Sequence, residues 1–563
     1  MDEKIVIYQV LPRLFGNGNT ENKKNGKISE NGCGKFANFT DKALSSIKNL
    51  GITHIWFTGV LEHATQTDYS QYGIAKDHSA VVKGKAGSPY AIKDYYDVDP
   101  DLANNVKNRL KEYESLINRT HKAGLKVIMD FVPNHVARQY HSDAKPSGVK
   151  DLGENDLNSV SYNRDNNFYY LPNQQFEPQF SLLDEQKNTY IEKPAKVTGN
   201  DCFCASPSVN DWYETVKLNY GIDYTNNHCC DFFPTPSTWI KMRDILIYWT
   251  KKNVDGFRCD MAEMVPVEFW AWAIPQVKKE NPNVIFIAET YDPNQYWLYL
   301  NRGQFDYLYD KVGLYDTLRA VIRGEQPTSN ISHCWQQHPD IEDRLLNFLE
   351  NHDEQRIASE FFAGNAQKAL PAMIVAASMS KGPAMIYCGQ ELGEAGMDEE
   401  GFSGLDGRTS IFDYWSVDSI REWSADGHFD DAKLNSKQKT LKAEYGKLLN
   451  VAKTENAISK GDFFDLMYCN YENKNFNSTR QFVFLRKFEN ELLLIVSNFD
   501  ETEQDITVNI AKHAFDYLHI PVKQAQPAFE LLSGKNATFT LDPDIPISIK
   551  VPSQSGSIWK LVI

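Results

Sequence analysis

Short runs dense in aliphatic and β-branched residues recur along this chain, with amphipathic stretches between them. They cover 5–10, 53–57, 126–131, 254–258, 284–288, 305–309, 345–349 and 384–388. Five or six residues that are apolar on both faces make the pattern of a buried parallel strand rather than a half-exposed one. The stretches between follow a helical period. In 105–123, Leu110, Tyr113, Leu116 and Ile117 share one face, and Gly124 stands where a helix stops. Eight such strands alternating with helices predict a (β/α)8 TIM barrel.

The alternation is interrupted once and later abandoned. Between the third run, ending near residue 131, and the fourth, starting near residue 254, lies a stretch far too long for a strand-to-helix connection. Its part from 136 to 224 is rich in Asn, Asp, Ser, Gly and aromatic residues and has no sustained helical period. It is predicted to stand as a subdomain over the top of the barrel, walling one side of a cleft. After a helical stretch at 435–457, runs at 481–488, 491–499, 505–510, 537–541, 547–551 and 557–563 are short and β-rich, and Ile506, Val508 and Ile510 alternate with polar neighbours. They predict a C-terminal antiparallel β-sandwich. The expected organisation is barrel (1–135), inserted subdomain (136–224), barrel resumed (225–457) and sandwich (458–563).

Composition narrows the function. A chain of 563 residues exceeds one core and calls for several domains. The net charge of -16 disfavours nucleic acid or an anionic membrane as partner and fits a neutral substrate. There is no run of 18 apolar residues, so no membrane span is expected, and 5–11 is too short for a signal-peptide core. Nine cysteines are present. Neither Cys202 with Cys204 nor the adjacent Cys229 and Cys230 has zinc-site spacing, and Cys259 and Cys388 lie inside apolar runs. The set reads as free thiols of a reducing compartment, hence a cytoplasmic protein, with one local pairing near Cys202 and Cys229 left open. Trp56, Trp212 and Trp239 fall in or beside strand-like and helix-like runs and are assigned to the core.

Three runs lead into carboxylates: Asp255-Gly-Phe-Arg-Cys-Asp260, Phe286-Ile-Ala-Glu289-Thr, and Leu349-Glu-Asn-His-Asp353. Strand ends of a parallel barrel open on one face, where its chemistry sits, so Asp260, Glu289 and Asp353 should converge there. Carboxyl groups held together push their pKa values apart, which supplies an acid and a base at one pH. Cleavage of a glycosidic bond needs that pair.

Together with Asp130-Phe-Val-Pro-Asn134-His135 after the third run, these motifs stand in the order and on the elements of the α-amylase family of glycoside hydrolases, which the chain resembles over essentially its whole length. The likeness includes the long excursion, the Gly389-Gln-Glu391 step after the eighth run and the C-terminal sandwich. The resemblance implies Asp260 as nucleophile, Glu289 as general acid/base, and Asp353 as the carboxylate that holds sugar hydroxyls and favours the cationic transition state. It implies that Arg258 keeps Asp260 ionised, with Asp130 as a support beneath it. His135 and His352 would bond hydroxyls of the same ring, and Tyr90, in Ser88-Pro-Tyr90, would be the platform on which that ring stacks. The implied activity is retaining hydrolysis of internal α-1,4-glucosidic bonds in starch-like glucans or maltooligosaccharides. The alternative is a transglycosylase or cyclomaltodextrinase-type enzyme with the same three carboxylates. A non-catalytic glycan-binding relative would lack some of them.

The sequence also departs from the family pattern. Many α-amylases carry lysine and histidine three and four residues after the nucleophile; here those positions are Glu263 and Met264, which alters the acceptor side. Asn134 matches a calcium-ligand position that is also kept in relatives without the metal, so no cofactor is predicted and calcium stays open. Gly87 stands where exo-acting α-glucosidases of the family carry an aspartate, which favours an open, endo-type cleft.

Overall fold

The computed structural model describes residues 3–563. Eight parallel strands close into a barrel: β1 (Val6–Val10), β2 (His54–Phe57), β3 (Lys126–Phe131), β4 (Gly256–Cys259), β5 (Ile285–Ala288), β6 (Tyr307–Tyr309), β7 (Leu345–Phe348) and β8 (Ala384–Tyr387). Each strand pairs with its neighbours in chain order, and β1 closes on β8 with Val6 opposite Ala384. All eight apolar runs are strands, and nearly every residue in them is buried. Alternation along each strand divides the core in two. Ile5, Ile7, Trp56, Ile128, Ile285, Ile287, Leu346, Phe348 and Met385 fill the barrel, while Val6, Tyr8, Val127, Met129, Phe257, Cys259 and Phe286 meet the surrounding helices.

The helix expected over 105–123 forms as a 3-10 turn, Val106–Asn108, leading into the α-helix Arg109–Lys122. Gly124 follows with φ +76, in the left-handed region that glycine enters without strain. Helix Leu370–Ser378 shows no amphipathic stripe because all nine of its residues are buried. It lies between the barrel and the C-terminal sheet, touching β7 on one side and strands Glu491–Asn498 and Ser555–Val562 on the other.

The excursion between β3 and β4 is built from short strand pairs and turns. His135–Ala137 pairs with Thr215–Lys217, Tyr170–Leu171 with Ala195–Lys196, and Ile222–Asp223 with Cys229–Cys230. The first of these ties the start of the excursion to its end. A small separate core, with Tyr169, Phe176, Tyr190 and Val197, holds the middle. All nine cysteines are free, and the close sulfur pair is Cys202 with Cys204 at 3.3 Å, not Cys202 with Cys229.

The C-terminal part is a six-stranded antiparallel sheet accompanied by a two-stranded one. The expected runs are all present there. The sheet also contains Asp462–Asp465 and Lys523–Glu530, and helix Lys512–Leu518 is inserted before the latter; none of these three stood out in the sequence. No helix among the described residues is long and apolar enough to cross a membrane.

Candidate active site

Strands β4 and β5 lie side by side with Arg258 opposite Ile287 and Cys259 opposite Ala288, so the next residues on each, Asp260 and Glu289, emerge together at the C-terminal rim. Two backbone bonds prolong the ladder past the strand ends: the Asp260 N–H donates to Phe131 O at 2.9 Å and the Glu289 N–H to Cys259 O at 3.1 Å. Arg258 sits one interior step below. Its guanidinium reaches Asp260 Oδ1 and Glu289 Oε1, each at 2.7 Å, and Asp130 Oδ1 at 3.6 Å. It also donates through Nε to the Tyr309 hydroxyl at 3.2 Å. The rings of Trp56, Tyr90 and Tyr309 lie 5.2–5.5 Å from its Cζ. Burial alone would make the guanidinium easier to deprotonate. The charges of Glu289 and Asp260 outweigh that, so Arg258 remains a fixed cation.

Glu289 is 1 % exposed, and burial, reinforced by the charges of Asp260 and Asp353 and opposed by Arg258, pushes its carboxyl up to about 8. Its oxygens are held at fixed positions. Oε2 accepts from the Met261 N–H at 2.7 Å and Oε1 from the Tyr291 hydroxyl at 2.9 Å. Met261 makes that bond from a left-handed backbone, φ 42, uncommon for a residue with a side chain and typical of backbone held for function. Asp353 comes from the turn after β7, where the Asn351 side chain accepts from the N–H groups of both Asp353 and Glu354. Its carboxyl is 44 % exposed and faces the same opening.

A chain of hydrogen bonds backs one wall. Gln9 Nε2 lies 2.8 Å from His352 Nδ1, His352 Nε2 lies 2.5 Å from the Tyr90 hydroxyl, and that hydroxyl donates to Asp130 Oδ1 at 3.4 Å. With the Gln9 amide donating, the His352 proton is on Nε2 and points to Tyr90. The Tyr90 and His352 rings stack at 5.1 Å and 24°. Burial, and then Arg258, keeps His352 neutral. Its Nε2 also lies 3.2 Å from Asp353 Oδ2, so His352 backs both Tyr90 and Asp353, which line the cavity. Asp130, pushed up to about 7 by burial, is fixed through Oδ2 by the Gly59 N–H at 3.1 Å. Next to Tyr90, whose backbone its ring meets, His135 is lowered to about 4 by burial and has Nε2 3.9 Å from Asp260 Oδ2.

The cavity over these groups is about 400 Å³, and its lining brings together Tyr90, His135, Asp260, Glu289 and Asp353. Arg258 and His352 lie just beneath its surface. The lining also includes residues that the sequence did not offer. Trp212, assigned above to the core, is half-buried and lines the cavity, its ring 5.1 Å from that of His135; Trp56 and Trp239 are core as expected. The excursion that carries Trp212 has no period from which its side could be read. Tyr291 was also missed, although it lies two residues beyond Glu289. Its loop is pinned by Glu263, whose Oε2 accepts from the N–H groups of Tyr291 and Asp292, both at 3.1 Å. Glu263 thus has a task of its own where relatives carry lysine.

Two departures acquire physical reasons. The Asn134 side-chain oxygen, the group left open for calcium, accepts from Lys217 Nζ at 2.8 Å, and the same ammonium pairs with Asp201 at 2.5 Å. A buried lysine holds that position, so the donor set there does not suit a metal ion. At Gly87, φ is +82 and an added Cβ would lie 1.7 Å from Ala64 O. Close backbone approach demands glycine here, whatever the cleft binds.

A closed (β/α)8 barrel with carboxyl groups gathered at the ends of its fourth, fifth and seventh strands has the architecture of a glycoside hydrolase. The chain belongs to the α-amylase family: the model of the alpha amylase catalytic domain matches residues 9–457. It is 22% identical over 539 residues to alpha-amylase 3 of Dictyoglomus thermophilum, with 92% of this chain and 88% of that protein covered. It is 21% identical over 513 residues to a Bacillus cyclomaltodextrinase, covering 88% of this chain and 73% of that one. Against neopullulanase 2 of Thermoactinomyces vulgaris the identity is 21%, over 70% of this chain and 57% of the relative. Among solved structures, a maltogenic alpha-amylase from Thermotoga neapolitana superimposes with TM-score 0.62 at 20% identity, covering 99% of both chains. The alpha-amylase of Geobacillus thermoleovorans gives 0.63 at 18%, covering 99% of this chain and 98% of that one.

Proposed function

We propose that this glycoside hydrolase cleaves internal α-1,4-glucosidic bonds of starch-like glucans or maltooligosaccharides with retention of the α configuration. The observation that carries the reading is the single guanidinium, Arg258, bridging Asp260 and Glu289 on adjacent strands at 2.7 Å each. Adjacent strands are about 4.8 Å apart. Retaining enzymes hold their carboxyl pair roughly 5–5.5 Å apart, and inverting ones need about 6.5–9.5 Å to seat a water.

In this reading Asp260 Oδ2, the oxygen not held by Arg258 Nη1, attacks the anomeric carbon. The bond to the leaving oxygen breaks as Glu289 delivers its proton. Glu289, now a carboxylate, takes a proton from the incoming water or sugar hydroxyl as its oxygen bonds to the anomeric carbon, and the covalent bond to Asp260 breaks, freeing its carboxylate. Asp353 holds hydroxyls of the distorted ring, and Tyr90 supplies its platform. Residues 136–224 form the wall that presents Trp212 and His135's outer neighbours to the chain of sugars.

Proton NMR of fresh digests should show the α-anomer first, with β appearing only through mutarotation. A β-first time course overturns the reading, as does near wild-type turnover in Asp260→Asn. A second reading, preference for cyclic dextrins or transfer to sugar acceptors, is favoured by the relatives named cyclomaltodextrinase and by Glu263 at the acceptor side. A product profile on maltoheptaose, starch and cyclodextrin separates the two.

A further inference from the structure

Beside β2, the short strands Leu61–His63 and Ile92–Val98 run antiparallel with Glu62 opposite Asp94. Glu62 is wholly shielded from solvent, and neither oxygen of its carboxyl has a hydrogen-bond partner. Asp94, also fully buried, is firmly placed. Oδ1 accepts from the Ser142 hydroxyl at 2.6 Å and the Tyr96 N–H at 2.8 Å, and Oδ2 from the Ala144 N–H at 3.0 Å. Asp143, between Ser142 and Ala144 and open to solvent, reaches the same spot from the excursion. One oxygen from each of the three carboxyls lies within 4.8 Å of the other two.

A buried carboxylate with both oxygens unpaired must either take up a proton or gain a counter-ion. The charges that face Glu62 come from Asp94, Asp143, Asp97 and Lys93. Lys93 is spoken for by Asp77 at 2.9 Å. Arg109 bridges Asp97 at 2.5 Å and Asp143 at 3.3 Å. Four carboxyls (Glu62, Asp94, Asp97 and Asp143) therefore share one guanidinium, and the local excess is negative. The donors are all oxygen, as hard cations require, and calcium takes 6–8 of them at about 2.3–2.6 Å. Oxygens on opposite sides of such an ion are about 4.6–5.2 Å apart and neighbouring ones are closer, which accommodates the observed spread.

We propose that Glu62, Asp94 and Asp143 form a binding site for a divalent cation of the calcium class, with water completing its coordination through the open side at Asp143. The site is separate from the Asn134 position, where Lys217 already supplies the charge. Its three ligands come from the segment after β2, from the strand that begins two residues after Tyr90, and from the excursion. The ion ties the two walls of the cleft to each other and to the barrel.

The test uses the full chain freed of metal by a chelator and then titrated with calcium chloride, read by calorimetry and thermal melting. One equivalent should bind and raise the melting temperature. Asp143→Asn, which keeps the side chain's shape and its oxygen toward Arg109 while removing one charge, should weaken that binding at least tenfold, and Glu62→Gln should abolish it. Absence of binding to the wild type overturns the proposal. So does unchanged binding in either variant, which would put the ion elsewhere. A Glu62→Gln protein that melts higher than a metal-insensitive wild type also overturns it, because Glu62 and Asp94 would then share a proton instead.

Discussion

At pH 7 the Glu289 carboxyl, pushed up to about 8, is mostly protonated and ready to donate; above that value it ionises and the donor is lost. For the free enzyme, kcat/KM should therefore fall on the alkaline side with a midpoint near 8. The Tyr291 hydroxyl donates to Oε1 and so favours the ionised form. Tyr291→Phe removes that donor and should move the midpoint upward by about half to one pH unit, given about 1 kcal/mol for such a bond. Profiles of both proteins from pH 5 upward check this; a midpoint that stays or moves down means that Tyr291 does not tune the acid. The three carboxylates were legible in the sequence because each lies just past a run whose strand character was plain. The groups that set their surroundings were not: Met261 and Tyr291 fold back onto Glu289, Gln9 reaches His352 and Lys217 reaches Asn134, contacts that only the fold creates.

Among the elements, the barrel strands could be read because both faces are buried, so composition alone marks them. The strand Lys523–Glu530 shows the opposite case. Its buried positions include Gln526 and Glu530, its exposed ones Phe529, and Pro527 interrupts it, so the hydrophobic pattern that betrays a strand is inverted. The excursion likewise hid Trp212, since turns and two-residue strands impose no period. Loop backbone can be as exacting as a strand. Gly87→Asp, which would restore the aspartate of exo-acting relatives, forces a Cβ against Ala64 O from a left-handed backbone and should cost more than about 2 kcal/mol. Urea denaturation measures it; an unchanged midpoint would show that the loop relaxes freely and that the glycine is a matter of specificity after all.

Across the whole molecule, a buried arginine is among the side chains that lock the C-terminal sheet to the barrel. Arg486, on strand Gln481–Phe488 and 1 % exposed, donates to Met379 O, Ala457 O, Ile458 O and Gly461 O at 2.8–3.0 Å. These carbonyls end helices Leu370–Ser378 and Asn456–Ser459, and an arginine fork satisfies them with one charge. Burial lowers Arg486 to about 10, which still leaves it cationic at neutral pH. Arg486→Met should strand several carbonyls at a cost of about 3 kcal/mol or more, and calorimetry should then show the sheet melting before the barrel. A single transition at the wild-type temperature would mean that apolar packing alone holds the two parts together.

The lysine at Asn134 gives the joint between excursion and barrel a different kind of permanence. A bound ion leaves and returns, so its occupancy follows the medium. The Lys217 ammonium is anchored to the backbone, present in fixed stoichiometry from the moment the chain folds, at an effective concentration that no dilution lowers. That joint has therefore exchanged dependence on an external supply for dependence on the covalent integrity of one amine.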